Sequence, residues 1–124
     1  MAHILIAEDE EAVRCFVSRA LELRGHKVTA VADGGEALDA LEREEYDLLL
    51  TDIVMPVMDG IALALKASAA YPALPILMMT GYAHEKQRAH NLDALIHEVI
   101  SKPFSLEDLC QAVETALENK PPLH

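Results

Sequence analysis

Five short apolar runs, each giving way to a polar residue and then to a stretch of helical character, limit what this chain can fold into more than any other feature. They are His3–Ala7, Lys27–Val31, Asp47–Thr51, Pro75–Met79 and Glu98–Ser101. Most are continuously apolar, as strands are when helices cover both faces of a sheet. Strands alternating with helices specify an α/β doubly wound fold, a parallel sheet built from right-handed βα units. The pattern alone does not contain the order of the strands.

The intervening segments read as helices with recognisable ends. In Glu11–Arg24, Val13, Phe16, Val17, Ala20 and Leu21 form one apolar stripe, and Gly25 follows as a C-cap. Asp33-Gly34 announces a helix over Gly35–Arg43, with Asp33 as N-cap and Ala37, Leu38 and Leu41 toward the sheet. Asp59-Gly60 opens another over Ile61–Ala70, stopped before Pro72 and Pro75. Ala83–Ile96 is weakly helical. A last helix starts at Ser105, where Ser105-Leu106-Glu107-Asp108 resembles a capping box, and Leu106, Leu109, Val113, Ala116 and Leu117 repeat at helical spacing. After Glu118 only a short tail, residues 119–124, remains.

A chain of 124 residues can build one core without staples. With 52% hydrophobic but only 4% aromatic residues, that core must be aliphatic. No apolar run reaches the ~18 residues of a membrane span, and Met1-Ala2-His3 lacks the basic start of a signal peptide. A soluble, cytoplasmic protein is expected. Cys15 and Cys110 lie far apart and read as reduced thiols. A net charge of −11, with basic residues single and interleaved among acids, argues against nucleic acid as a partner. The six histidines read as solvated surface residues, since His84, His90 and His97 are not spaced one helical turn apart.

Four polar residues mark the ends of apolar runs: Asp9 (after Glu8), Asp52, Thr80 and Lys102. In an open parallel sheet the carboxyl ends of the strands converge on one crevice, where ligands bind. Each residue alone has an ordinary explanation: acids favour a helix N-terminus, a threonine suits a strand, a lysine suits a surface. Together they place carboxylates, a hydroxyl and an ammonium at one edge. Converging carboxylates would repel by several kcal/mol in low dielectric, and a divalent cation removes that repulsion. Mg²⁺ fits, with Asp9 and Asp52 as direct ligands and Glu8 holding a water. Asp52 is the candidate nucleophile toward phosphorus, giving an acyl phosphate. Mg²⁺ and Lys102 would neutralise charge on the phosphoryl oxygens. Thr80 would donate a hydroxyl hydrogen bond, with Gly81 letting backbone approach.

Glu8-Asp9, Thr51-Asp52-Ile53-Val54-Met55-Pro56-Val57-Met58-Asp59-Gly60, Thr80-Gly81 and Lys102-Pro103-Phe104 resemble the receiver domain of two-component response regulators, from Ile4 to about Leu117, which implies one receiver domain over residues 1–118. The resemblance implies a flavodoxin-like (βα)5 three-layer sandwich whose five-stranded parallel sheet has the order 2-1-3-4-5. It implies Mg²⁺-dependent phosphorylation of Asp52 from a sensor histidine kinase or histidine phosphotransfer protein. The backbone carbonyl of Val54 would be a further metal ligand, and Thr80, Gly81, Lys102 and Pro103 would bind phosphate and switch. Output would pass to a downstream protein target, from a monomer or a phosphorylation-dependent dimer, with no nucleic acid or membrane partner. Such a chain catalyses only its own phosphorylation and dephosphorylation. Within the family, Leu50–Pro56, Thr80-Gly81-Tyr82 and Ile100–Phe104 look most like the CpdR group, single-domain regulators associated with adaptor roles in ClpXP proteolysis.

Two positions depart from the family pattern. Glu8 stands where many receivers carry Asp, which a water-mediated metal contact tolerates. Val99 stands where many carry an aromatic that swings with the threonine, and valine has no such rotamer swing. Tyr82 is the candidate substitute switch aromatic. Rival readings are weaker. A haloacid-dehalogenase-type phosphatase needs a second Asp at Val54. An FMN carrier needs a Ser/Thr/Gly-rich loop where Glu8-Asp9-Glu10-Glu11 stands. A pseudo-receiver that only binds partners would not need the full acid, threonine and lysine set.

Overall fold

A computed structural model describes residues 2–80, 98–102 and 104–118. Strands β1 (His3–Ala7), β2 (Lys27–Val31), β3 (Leu48–Asp52), β4 (Ile76–Thr80) and β5 (Glu98–Ser101) form one five-stranded sheet of order β2-β1-β3-β4-β5. Every pairing is parallel. Among the described residues the helices are α1 (Glu11–Leu23), α2 (Gly34–Arg43), α3 (Gly60–Ala70) and α4 (Leu106–Glu118). The expected helix at Ala83–Ile96 lies outside the described residues, as does the tail.

Strand alternation divides the core in two. Ile4, Ile6, Leu48, Leu50, Leu77, Met79 and Ile100 meet α1 and α4 on one face. Leu5, Ala7, Leu49, Ile76 and Met78 meet α2 and α3 on the other. Aliphatic side chains on both faces explain why β3 and β4 are buried at every position. Edge strand β2 is only partly covered.

Most helix boundaries follow the capping chemistry. Asp33 accepts a hydrogen bond from the Glu36 N–H at 2.8 Å, and Asp59 from the Ala62 N–H at 2.9 Å. Ser105 Oγ accepts from the Asp108 N–H at 3.0 Å, so the hydroxyl half of that box forms. α1 ends in a Schellman arrangement, with Gly25 N–H on the Glu22 carbonyl at 2.9 Å and His26 N–H on the Leu21 carbonyl at 3.2 Å. Gly25 has φ 92°, which a Cβ would disfavour.

Several expectations need correction. β3 and β4 each begin and end one residue later than their apolar runs suggest, so Asp52 and Thr80 are the last residues of the strands themselves. Their backbones stay in the ladder: Asp52 is in register with Met79, and Thr80 with Ser101. α2 and α3 include Gly34 and Gly60, and α1 stops at Leu23. Phe16 is not in the core. It is 44% exposed and faces Phe104 across 6.5 Å, because α1 turns it toward the mouth of the crevice. His3 is no surface histidine either: its Nε2 lies 2.9 Å from Thr29 Oγ1 and its ring 4.2 Å from that of Tyr46. Cys15 is exposed and Cys110 buried, and neither is in a disulfide.

The face shared by α1 and α4 depends on Leu50, fully buried at the centre of the sheet. Leu50→Ala is expected to cost about 2–5 kcal/mol. Urea unfolding should show a lower midpoint with an unchanged slope, and an unchanged midpoint would contradict this packing.

Candidate functional site

Sheet alternation decides which strand-end side chains can meet. Glu8 follows Ile6 by two residues, Asp52 follows Leu50 by two and Lys102 follows Ile100 by two, all on the α1/α4 phase. Thr80 follows Met78 by two, on the opposite phase. The first three converge. Lys102 Nζ donates to Glu8 Oε1 at 2.9 Å and to Asp52 Oδ2 at 3.1 Å. Thr80 is buried at the end of β4, whose carbonyl accepts the Lys102 N–H at 2.7 Å.

Each carboxylate is held by its own local backbone. Asp52 Oδ1 accepts from the Ile53 N–H at 2.8 Å, and Glu8 Oε2 from the Glu10 N–H at 3.0 Å. Arg14 reaches back from α1 to the Glu8 carbonyl at 2.8 Å and pins the β1–α1 junction. Gly60 is required at the start of α3, because a Cβ there would overlap the backbone carbonyl of Asp52. The Gly60 N–H instead donates to the Ile53 carbonyl at 2.7 Å and draws the loop closed.

Carboxylate oxygens of Glu8, Asp9 and Asp52 all lie within 4.8 Å of one another. Asp9 is exposed, Asp52 nearly buried and Glu8 fully buried. Burial pushes the Glu8 carboxyl up from its ordinary 4.5 to about 7, and the nearby Asp52 charge adds to this against the Lys102 and Glu10 hydrogen bonds. Burial works to lower Lys102, but its hydrogen bond to Glu8 and the charge of Asp52 outweigh that and hold it above its ordinary value. Hard oxygen donors with one member open to water suit Mg²⁺. Val54 follows in the loop with an exposed side chain.

The sequence-predicted residues Glu8, Asp9, Asp52 and Lys102 are thus brought together, and Thr80 flanks them from the other face. Val99 is in register with Met78 and packs against the α2/α3 core. Gly81, Tyr82 and Pro103 lie outside the described residues, together with His84, His90 and His97. Sequence reasoning missed the direct Glu8–Lys102 pair. It also missed Arg14, whose signal, one arginine among the polar positions of an amphipathic helix, does not distinguish it.

Comparison with known proteins gives a consistent picture. The family model of the response regulator receiver domain matches residues 4–114. The response regulator receiver protein CpdR of Brucella abortus (strain 2308) is 43% identical over 117 residues, covering 94% of this chain and 98% of that protein. The response regulator MprA of Mycobacterium avium (strain 104) is 34% identical over 119 residues, and there the match covers 96% of this chain and 52% of that longer protein. The response regulator TrrA of Thermotoga maritima, solved in complex with Mg²⁺–BeF, superposes with a TM-score of 0.85 at 27% identity, over 94% of this chain and 99% of that one.

The raised Glu8 carboxyl makes stability depend on pH in a defined direction. Between pH 4.5 and about 7 the folded chain keeps a proton that the unfolded chain has lost. In chelator-treated protein this contribution therefore falls as pH rises through that window. Glu8→Gln cannot titrate, so it should gain on wild type by on the order of 3 kcal/mol across the window. Urea unfolding at both ends measures the difference, and parallel stability curves would contradict the assignment.

Proposed function

The chain belongs to the response regulator receiver domain family, and from that premise we propose that Asp52 accepts a phosphoryl group from a phosphohistidine on a sensor histidine kinase or histidine phosphotransfer protein, with Mg²⁺ bound beside it. The observation that carries this reading is the single lysine bridging two strand-end carboxylates, with a third acid within 4.8 Å. An Asp52 oxygen attacks phosphorus, the P–N bond breaks with its electron pair returning to the imidazole, and an acyl phosphate remains on Asp52.

Asp9, Asp52 and the Val54 carbonyl would hold the ion, with Glu8 acting through a water. Both Glu8 oxygens are already engaged, by Lys102 and by the Glu10 N–H, which favours that indirect role. The bound ion supplies positive charge against the phosphoryl oxygens. Glu8 keeps the Lys102 ammonium close to Asp52, where a point charge on a long stem can follow an arriving and departing phosphate. The Thr80 hydroxyl approaches from the opposite phase and would donate to a phosphoryl oxygen. Charge added at Asp52 then biases a two-state equilibrium of the neighbouring loops.

The chain catalyses its own phosphorylation and dephosphorylation and acts on no external substrate. The exposed valine at position 54 leaves no general acid where a phosphatase would need one. Among the described residues no helix is long and apolar enough to cross a membrane. Membership of the receiver family supports a cytoplasmic location. Output is a phosphorylation-dependent protein–protein contact. The likeness to CpdR along nearly its whole length supports an adaptor role in regulated proteolysis.

Incubation with acetyl phosphate and Mg²⁺ should add one phosphate to the intact mass. The adduct should be absent with a chelator and absent from Asp52→Ala. A phosphate that survives Asp52→Ala would overturn the reading. So would failure of the wild type to gain phosphate from acetyl phosphate and from a panel of phosphorylated kinases.

A further inference from the structure

The loop of residues 53–59 leads from Asp52 to α3, and its conformation is costly. Met58 N–H donates to the Pro56 carbonyl at 2.7 Å across Val57, whose φ is 68°. This is a γ-turn of the rarer positive-φ kind, disfavoured for any L residue and more so for a β-branched one. Val57 is 84% exposed, so burial of its own side chain does not hold it there. Such strain persists only where the surrounding structure over-determines the backbone.

The constraint comes from the start of α2. Gly34 is buried, and a Cβ on it would lie 2.5 Å from the Met58 carbonyl oxygen and 2.9 Å from Met58 Cβ. A Cβ on Gly35 would lie 3.2 Å from Asp33 Oδ1 and 3.3 Å from Val57 Cγ1. The helix beneath is firmly placed. Asp33 caps it, Glu36 Oε1 accepts from the Ala32 N–H at 2.8 Å, and Ala37 and Leu41 are buried in the core. Val54, Pro56 and Val57 are exposed, so the loop is the compliant partner of this contact.

We propose that Gly34-Gly35 is a positioning element for the metal site: its bare backbone seats Met58, holds the γ-turn, and so sets the loop that carries the Val54 carbonyl beside Asp52. The proposal rests on the receiver reading above and extends it to residues with no polar side chain. Hydrogen-bond partners of metal ligands typically change metal affinity by 10–100-fold when altered, and a seat that acts through the loop belongs at the lower end of that range.

The test is a Mg²⁺ titration of the ¹⁵N-labelled full chain, followed by backbone amide shifts. Gly34→Ala should bind Mg²⁺ about tenfold more weakly. Before metal is added, its amide shifts should differ from wild type through residues 53–59 and match it in β1. Ala37→Gly loosens the same helix but leaves the bare backbone of Gly34 and Gly35 as it is, and should keep wild-type Mg²⁺ affinity. Wild-type affinity in Gly34→Ala, or an equal loss in Ala37→Gly, would overturn the proposal. If Gly34→Ala does not fold, Gly35→Ala decides. That change raises helix propensity and asks both Val57 Cγ1 and the capping Asp33 Oδ1 to give a few tenths of an ångström, so its amide shifts must change through residues 53–59 and not only around the cap. Weakened binding there supports the seat, and wild-type binding overturns it. A wild-type chain that binds no Mg²⁺ removes the receiver reading first, and the seat with it.

Discussion

One ammonium group between two carboxylates organises this end of the molecule. Glu8 is fully buried, and a buried carboxyl without a partner must either stay neutral or destabilise the fold. Lys102 supplies the partner from 94 residues away and shares it with Asp52. The geometry depends on strand order. β4 lies between β3 and β5, and adjacent strands are about 4.8 Å apart, so β5 is roughly 10 Å from β3. A lysine stem covers that span, and a glutamate from β1 reaches in from the far side. The extra methylene of Glu8 relative to aspartate thus lengthens the reach from the most distant strand that joins the pair.

This arrangement is suited to transient charge. The lysine is not consumed by a single permanent partner, because each of its two hydrogen bonds goes to a carboxylate that has another donor of its own. On the proposed function, an arriving phosphoryl group would recruit the ammonium without leaving either acid wholly unsatisfied. Rigid strand ends hold the first contacts, and close backbone approaches hold the loop beside them. At Gly60 a Cβ would overlap the Asp52 carbonyl.

Much of this was legible in the sequence because it follows from local rules. Apolar runs gave the strands, and Asp33, Asp59 and Ser105 gave helix starts through side-chain caps that the structure forms. The carboxyl-end rule gathers Glu8, Asp9, Asp52, Thr80 and Lys102 at one edge of the sheet. What stayed hidden depends on relations between elements. β3 and β4 extend one residue past their apolar runs because neighbouring strands still offer ladder partners there. Phe16 lies on the apolar stripe of α1, yet its turn of helix overhangs the crevice, so periodicity overstates its burial. The opposite phase of Thr80 follows only once the sheet's faces are assigned to helices. Gly34 shows no function in one dimension, since its importance is the absence of an atom against Met58.

The central claim is that Glu8 and Lys102 act as one electrostatic unit with Asp52. A double-mutant cycle on unfolding free energy, using Glu8→Gln, Lys102→Met and the pair, measures it most directly. It should be run in chelator at a pH above 7, where Glu8 carries its charge. The account predicts a coupling of about 1–3 kcal/mol, as for contacting members of one network. Additive effects of the two substitutions would contradict it.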